Sequence, residues 1–111
     1  MGQSRGLMSA DNRLVVSGVI CNPPESRNSP AGIPLTRFTL EHRSQQVEAG
    51  LPRDTFFKIV VIAAGTALKQ VAAKLQRGDE VCVEGFLSRM SYREDEARLA
   101  LHAETINKQS R

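Results

Sequence analysis

The chain has 111 residues and a mass of 12.2 kDa, the size of a single domain. Hydrophobic residues make up 41% and charged residues 24%, which excludes a wholly disordered chain, and no apolar run reaches the roughly 18 residues that a membrane-spanning helix needs. The net charge is only +3, but eleven of the 15 basic residues are arginine, whose guanidinium group suits phosphates and bases, although a GC-rich genome would also raise the arginine content.

Both ends of the chain are predicted to lie outside the folded domain. Residues 1–11 are polar and are expected to form a flexible extension, residues 108–111 a short tail, and residues 12–107 the domain. The start has no secretory leader, and Cys21 and Cys82 lie far apart without a CxxC motif. We therefore expect two reduced, buried thiols in a cytoplasmic protein.

The first predicted strand spans residues 12–21 and is largely apolar on both faces. Gly18, in its middle, permits the bend that a strand shared between two parts of a closed sheet requires. Residues 22–34 contain four of the five prolines and are predicted to form a long loop.

Two further strands are predicted over residues 35–43 and 55–63, joined by a polar connection at 44–54. In the first of these, Phe38 and Leu40 alternate with charged residues that point to solvent. In the second, Phe57 shares a face with Ile59, and we assign Phe57 rather than its neighbour Phe56 to the core.

The pattern changes to a helical period at residues 65–77, where apolar residues recur at the spacing of one helix face. Thr66 is a candidate N-cap and Gly78 a candidate stop. Strands are then predicted at 80–87 and 98–107, separated by a charged loop at 88–97.

The predicted order is therefore β-β-β-α-β-β. An open α+β sandwich would accommodate it, and a ferredoxin-like sheet would require a second helix. The bent first strand, Gly85 in the fourth strand and a single helix able to plug one barrel end favour an all-β fold with one short helix, the OB-fold five-stranded Greek-key barrel.

No motif in the chain assembles an active site. The sequence lacks GxxxxGK[ST], GxGxxG, GxSxG and HExxH, and His42 and His102 stand alone without metal-ligand spacing. We interpret His102 as a satisfied structural histidine and the acidic run at residues 94–96 as solvated charge. We expect no catalysis, no cofactor and no metal.

A set of basic and aromatic residues is left on one predicted surface. Its members, on strands two and three, in the loops that follow strands one and two, and around the loop between strands four and five, are Arg27, Arg37, Arg43, Arg53, Phe56, Lys58, Arg89, Tyr92, Arg93 and Arg98. On an OB barrel these elements form the usual nucleic-acid surface, where basic groups neutralise phosphates and rings stack on bases. Each arginine taken alone could equally be an ordinary solvated side chain, and Phe56 could equally belong to the core. The hypothesis therefore rests on the occurrence of all these residues on one predicted face.

The stretches NRLVVSGVIC, SPAGIP, FTLEHRSQQVEAG, VEGFL and LHAE follow one another in this order. Over about residues 12–106 the chain thereby resembles the primosomal replication protein N family, small dimeric bacterial relatives of single-stranded DNA-binding proteins. SPAGIP followed by LEHRS is the specific part of the match, whereas VEGFL is shared with single-stranded DNA-binding proteins in general.

The resemblance implies an OB-fold homodimer that binds single-stranded DNA and no membrane. It also implies work with a PriA-type restart helicase at stalled forks, followed by hand-over to helicase-loading factors. Carried over by position, it implies basic DNA contacts at Arg27, Arg43, Arg53, Arg93 and Arg98, and a stacking ring at Phe56. The chain departs from the family pattern at Leu51, Ser91 and the acidic residues 94–96, and Phe56 replaces a larger indole.

We therefore expect a non-catalytic single-stranded DNA-binding accessory of replication restart. Two alternatives with the same fold stay open: an adaptor whose main surface serves the helicase, and a general single-stranded DNA-binding protein. The latter class usually carries a long tail that ends in acidic residues, which this sequence lacks. An OB-type nuclease would need metal ligands that we do not find.

Overall fold

The computed structural model describes residues 10–90 and 98–109. Within these ranges the elements are β1 (Leu14–Ile20), β2 (Glu25–Asn28), β3 (Pro34–Glu48), β4 (Leu51–Ala64), α1 (Thr66–Ala72), β5 (Glu80–Arg89) and β6 (Leu99–Lys108). The fold is thus mostly strands with one short helix, as predicted.

The strands form one sheet in the order β1-β5-β6-β4-β3-β2, and β1 also pairs with β3 at Val19 and Ile20. This second pairing closes five of the strands into a barrel and confirms the prediction of an OB-fold. One edge of β3 pairs with β4 along its length, and the other edge is shared between β2 and then β1.

Two glycines lie where strands approach too closely for a side chain. A Cβ atom on Gly18 would overlap the carbonyl oxygen of Glu41 on β3, and one on Gly85 would overlap the carbonyl of His102 on β6. Gly85 also lies at a register shift in the β5–β6 ladder. The predicted roles of both residues in closing the barrel therefore have a steric basis.

The barrel interior is filled by alternate residues of the long strands. Phe38, Leu40 and Val61 are completely buried. Ala72 and Leu75, at the end of α1 and just beyond it, complete the same core cluster. Burial of this continuous apolar interior supplies the main driving force for folding.

One strand was missing from the sequence prediction. The sequence predicts a loop over residues 22–34, but Glu25–Asn28 form β2, which pairs with Pro34–Arg37 of β3. All four residues of β2 are exposed, so no apolar alternation marks the strand. A cross-strand hydrogen bond of 2.7 Å between the hydroxyls of Ser26 and Thr36 contributes to the pairing.

The predicted polar connection at residues 44–54 is also wrong. Strands β3 and β4 continue past the barrel to a tight turn at Ala49 and Gly50, whose φ angles are 53° and 77°. Positive φ at both positions is the geometry of a two-residue β-hairpin turn. We call the projecting segment, residues 44–55, the hairpin arm; it escaped prediction because both its faces are largely solvated.

The helix is shorter than the predicted span of 65–77 and ends at Ala72. Gly65, not Thr66, is the N-cap residue, with no side-chain cap bond. Gly78, with a φ angle of 93°, lies in the turn after the helix, where its N–H donates to the Ile20 carbonyl. Both cysteines are free thiols, but they are only half-buried, contrary to expectation.

Candidate nucleic-acid interface

The β3–β4 ladder determines which side chains share the outer surface of the barrel. Arg43 lies directly opposite Phe56, and Glu41 directly opposite Lys58. In a sheet, directly opposite residues point to the same side, so these four side chains form one continuous patch, which we call the Phe56 face. Leu40, the neighbour of Glu41 in sequence, points the other way into the core.

Phe56 is 53% exposed, which excludes the core position that its sequence also allowed. The Arg43 guanidinium carbon lies 4.3 Å from the centre of its ring. This is the geometry of a cation–π contact. An exposed ring and a cation, the two groups that bind a stacked base and its phosphate, are therefore adjacent.

The prediction that Phe57 lies in the core is wrong, since its side chain is 38% exposed. Its ring is on the opposite side of β4 from Phe56 and stacks on His42, with ring centres 4.8 Å apart. The strand has left the closed part of the barrel at this point, so alternation still decides the side of the sheet but no longer guarantees burial.

His42 connects the base of the hairpin arm to β1. Its Nδ1 lies 2.7 Å from the Ser17 carbonyl oxygen, and its Nε2 lies 2.7 Å from the hydroxyl oxygen of Ser44. Ser44 in turn bonds the hydroxyl of Thr55 across the arm. In the sequence His42 stands alone without metal-ligand spacing, and this network depends on contacts between distant segments.

Lys58 and Arg98 are brought together by the fold. They line one shallow depression with Thr39, Ile59, Val60, Met90 and Leu99. The depression begins on the Phe56 face at Lys58 and reaches the start of β6. Two predicted site residues that are 40 positions apart in the chain thereby share one surface.

Arg37 and Arg27 extend the basic surface toward β2. Arg37 is on the same side of β3 as Arg43, six residues or about 20 Å away along the strand. It is opposite Glu25 of β2, and Arg27 lies two residues further along that strand. Both arginines are exposed.

Arg53 and Arg89 are placed differently. Arg53 is on the other side of the hairpin arm from Phe56, where its Nη1 bonds Glu48 Oε1 at 3.1 Å. Arg89 ends β5 opposite Leu99. The predicted site residues Tyr92 and Arg93 lie outside the described residues, as do Ser91 and the acidic residues 94–96.

Glu41 is an acidic residue on the outward face of β3 that is not among the candidate site residues predicted from the sequence. Its Oε2 accepts a hydrogen bond of 3.1 Å from Arg43 Nε, while the Cys21 thiol lies 4.0 Å from its Oε1. The signal was present in the sequence, because an acidic residue alternates with basic ones on this strand. Which cation it pairs with is set by the structure.

His102 packs against Phe86, with parallel rings whose centres are 5.1 Å apart. Its Nε2 is buried and has no hydrogen-bond partner among the described residues, so the expected satisfied histidine is not observed there. Nowhere in residues 10–90 and 98–109 do three or more potential metal ligands cluster. In the same ranges, no helix has the length and apolar character needed to span a membrane.

Comparison with known proteins gives one consistent result. Residues 12–105 match a family model described as "another single-strand binding protein family". The chain is 46% identical over 95 residues to the replication restart protein PriB of Photorhabdus laumondii, covering 86% of this chain and 90% of that protein. It is also 41% identical over 99 residues to the PriB of Yersinia enterocolitica, covering 89% and 93% of the two chains.

Solved structures agree with the sequence comparison. The structure of PriB from Ralstonia solanacearum matches with a TM-score of 0.77 at 26% identity, over 91% of this chain and all of that one. The single-stranded DNA-binding protein of Thermus aquaticus matches at 0.73 and 21% identity, over 90% of this chain and half of that one. The second likeness supports the fold.

Proposed function

This chain belongs to the PriB family of replication restart proteins, within the single-strand binding proteins, and from that premise we propose that it binds single-stranded DNA during replication restart. The observation that carries the proposal is the exposed Phe56 ring with Arg43 beside it on the outer surface of the barrel. Lys58 and Arg98 continue the same surface.

In the proposed mode of binding, one base stacks on Phe56 while cations along the surface hold the backbone. Stacking on a ring contributes about 1–3 kcal/mol and tolerates every base, because each base has a flat face. Arg43 beside the ring, and Lys58 and Arg98 in the neighbouring depression, neutralise the phosphates around it. Further phosphate contacts are assigned to Arg27, Arg37, Arg53, Arg89 and Arg93, and a second ring contact to Tyr92.

The dependence of binding on salt tests this proposal. With about 4–6 phosphates neutralised, a plot of log K against log salt has an expected slope of about −3 to −4. Phe56→Ala should weaken binding by about 1–3 kcal/mol for all sequences and leave the slope unchanged. Arg43→Ala should also make the slope less steep, by about 0.7.

Fluorescent oligonucleotides titrated at two or more salt concentrations provide the measurement. Phe86→Ala is the matched control, because Phe86 is 40% exposed but lies on β5 opposite His102 of β6 rather than on β3 or β4. An affinity that does not respond to salt, or an equal loss in the two phenylalanine variants, would contradict the assigned surface.

We assign no catalysis to this chain and place its work in the cytoplasm. Its proposed partners are a PriA-type restart helicase and the helicase-loading factors that follow. An adaptor role, with DNA contact incidental, is favoured by Val47 and Leu51, which are 77% and 66% exposed near the end of the hairpin arm. Capture by the helicase without DNA, unaffected by Phe56→Ala, would support the adaptor over the DNA-binding role.

We also propose a homodimer. Strand β1 pairs with β3 only at Val19 and Ile20, which leaves the rest of that edge open among the described residues. Val15 on the same strand is 53% exposed. Pairing across a two-fold axis would cover an edge that otherwise invites uncontrolled association.

A further inference from the structure

The Phe56 face contains an acidic residue where a surface for nucleic acid is expected to be basic. Glu41 lies between the two cations of this face, opposite Lys58 and two residues from Arg43 on the same strand. Its side chain is 29% exposed, against 71% for Arg43. The carboxylate therefore lies lower in the surface and the guanidinium above it.

One contact of Glu41 orients Arg43 toward Phe56. One carboxylate oxygen accepts from Arg43 Nε at 3.1 Å, and the other lies 4.0 Å from the Cys21 thiol. Held in this way, the guanidinium carbon lies 4.3 Å from the centre of the Phe56 ring. A base stacked on this side of the ring would need the space that the guanidinium fills, so Arg43 occupies one side of the ring in the unbound protein.

We infer that Glu41 competes with single-stranded DNA for the Arg43 guanidinium. The Glu41 carboxylate holds Arg43 over Phe56 until a backbone phosphate replaces it. This inference rests on the proposed function and adds to it that Glu41 lowers the affinity of the protein for single-stranded DNA. The exchange of one anion for another around Arg43 uncovers the ring at the moment when a phosphate arrives. Glu41 thus acts on DNA binding through Arg43 rather than by touching DNA.

The charge-neutral substitution Glu41→Gln tests the inference. Because an exposed ion pair of this kind is weak, and one repulsive charge beside the phosphates is also removed, the expected gain in affinity is about 2–10-fold at low salt. The matched control is Glu104→Gln, which removes the same charge from an exposed position on β6. We expect the control to gain less than twofold.

A double-mutant cycle separates action through Arg43 from simple loss of charge. In an Arg43→Ala background, Glu41→Gln should produce less than half of its gain in the wild-type background. A gain that persists in full, or equals that of Glu104→Gln, would overturn the inference. So would unchanged or weaker binding by the Glu41→Gln single variant.

A second readout needs no DNA. The sequence contains no tryptophan, so Phe56→Trp introduces a single fluorescent reporter at the ring. Adding Glu41→Gln should increase acrylamide quenching of this reporter in the free protein, and equal quenching would argue against the ring being covered. If the wild type binds no single-stranded DNA, the proposed function fails; if it binds and only the Glu41 variants do not respond, this inference alone fails.

Discussion

At the scale of single residues, Gly18 determines how closely β1 can cross β3. A methyl group at this position would overlap the Glu41 carbonyl oxygen and approach the side chain of Leu40 to 2.9 Å. Because the first obstacle is backbone, the two strands would have to separate. We expect Gly18→Ala to lower the free energy of unfolding by about 1–3 kcal/mol, measured by urea denaturation.

The control for this substitution is Ser17→Ala, at the exposed neighbouring position on β1. Ser17→Ala should change the free energy of unfolding by no more than about 0.5 kcal/mol, since the hydrogen bond to His42 uses the Ser17 backbone carbonyl and not its side chain. Equal stabilities for Gly18→Ala and the wild type would mean that β1 and β3 do not need this close approach.

At the scale of elements, the hairpin arm depends on His42 at its base. The imidazole bonds Ser17 on one side and Ser44 on the other, and it stacks on Phe57. We expect His42→Ala to loosen the arm, so that amides of residues 44–55 exchange about tenfold faster with deuterated water. This corresponds to the loss of about one net hydrogen bond, near 1.4 kcal/mol.

Gln46→Ala is the matched control for His42→Ala. Gln46 also bonds the Ser44 hydroxyl, at 2.9 Å, but its side chain is exposed and does not reach β1. Its removal should change exchange in the arm by less than threefold. If His42→Ala instead accelerated exchange equally in the barrel strands β5 and β6, the residue would support the whole fold rather than the arm.

The same elements explain which parts of the structure could be predicted from sequence. The barrel part of β3 was predictable because Phe38 and Leu40 must face the core while Arg37 and Arg43 face solvent. The hairpin arm and β2 were not, since strands without a buried face carry no alternation. Phe57 was assigned to the core by parity alone, and only the three-dimensional path of β4 places it beyond the barrel.

Some contacts of the candidate site follow from strand alternation in the sequence, and others depend on long-range pairing. The pairing of Arg43 with Phe56 follows once the register of β3 and β4 is known, and alternation placed both residues on outward faces. The meeting of Lys58 with Arg98 depends on the parallel contact between β4 and β6, which joins Val60–Ile62 to Ala100–His102. A pairing between segments so distant in the chain has no local signal in the sequence.

At the scale of the whole molecule, the proposed dimer would join two copies along the open edge of β1. Val15 is opposite Glu84 in the β1–β5 ladder and 53% exposed. If two copies meet along this edge, Val15→Asp introduces a buried, unpaired charge into the interface. For the proposed dimer, we expect light scattering to show a dimer mass for the wild type and a monomer mass for Val15→Asp, while Val71→Asp, at a 39% exposed valine on the helix, should keep the dimer mass.

Loss of the dimer should then appear in the response to oligonucleotide length. One Phe56 face with about 4–6 phosphate contacts is satisfied by a short strand, so Val15→Asp should bind short oligonucleotides as the wild type does. A strand long enough to reach both faces of a dimer gains from the high effective concentration of the second face, by a factor of at least ten. The variant should lose that gain specifically. A wild type that is monomeric, or a Val15→Asp variant that keeps the dimer mass, would show that the open edge of β1 is not where the copies meet.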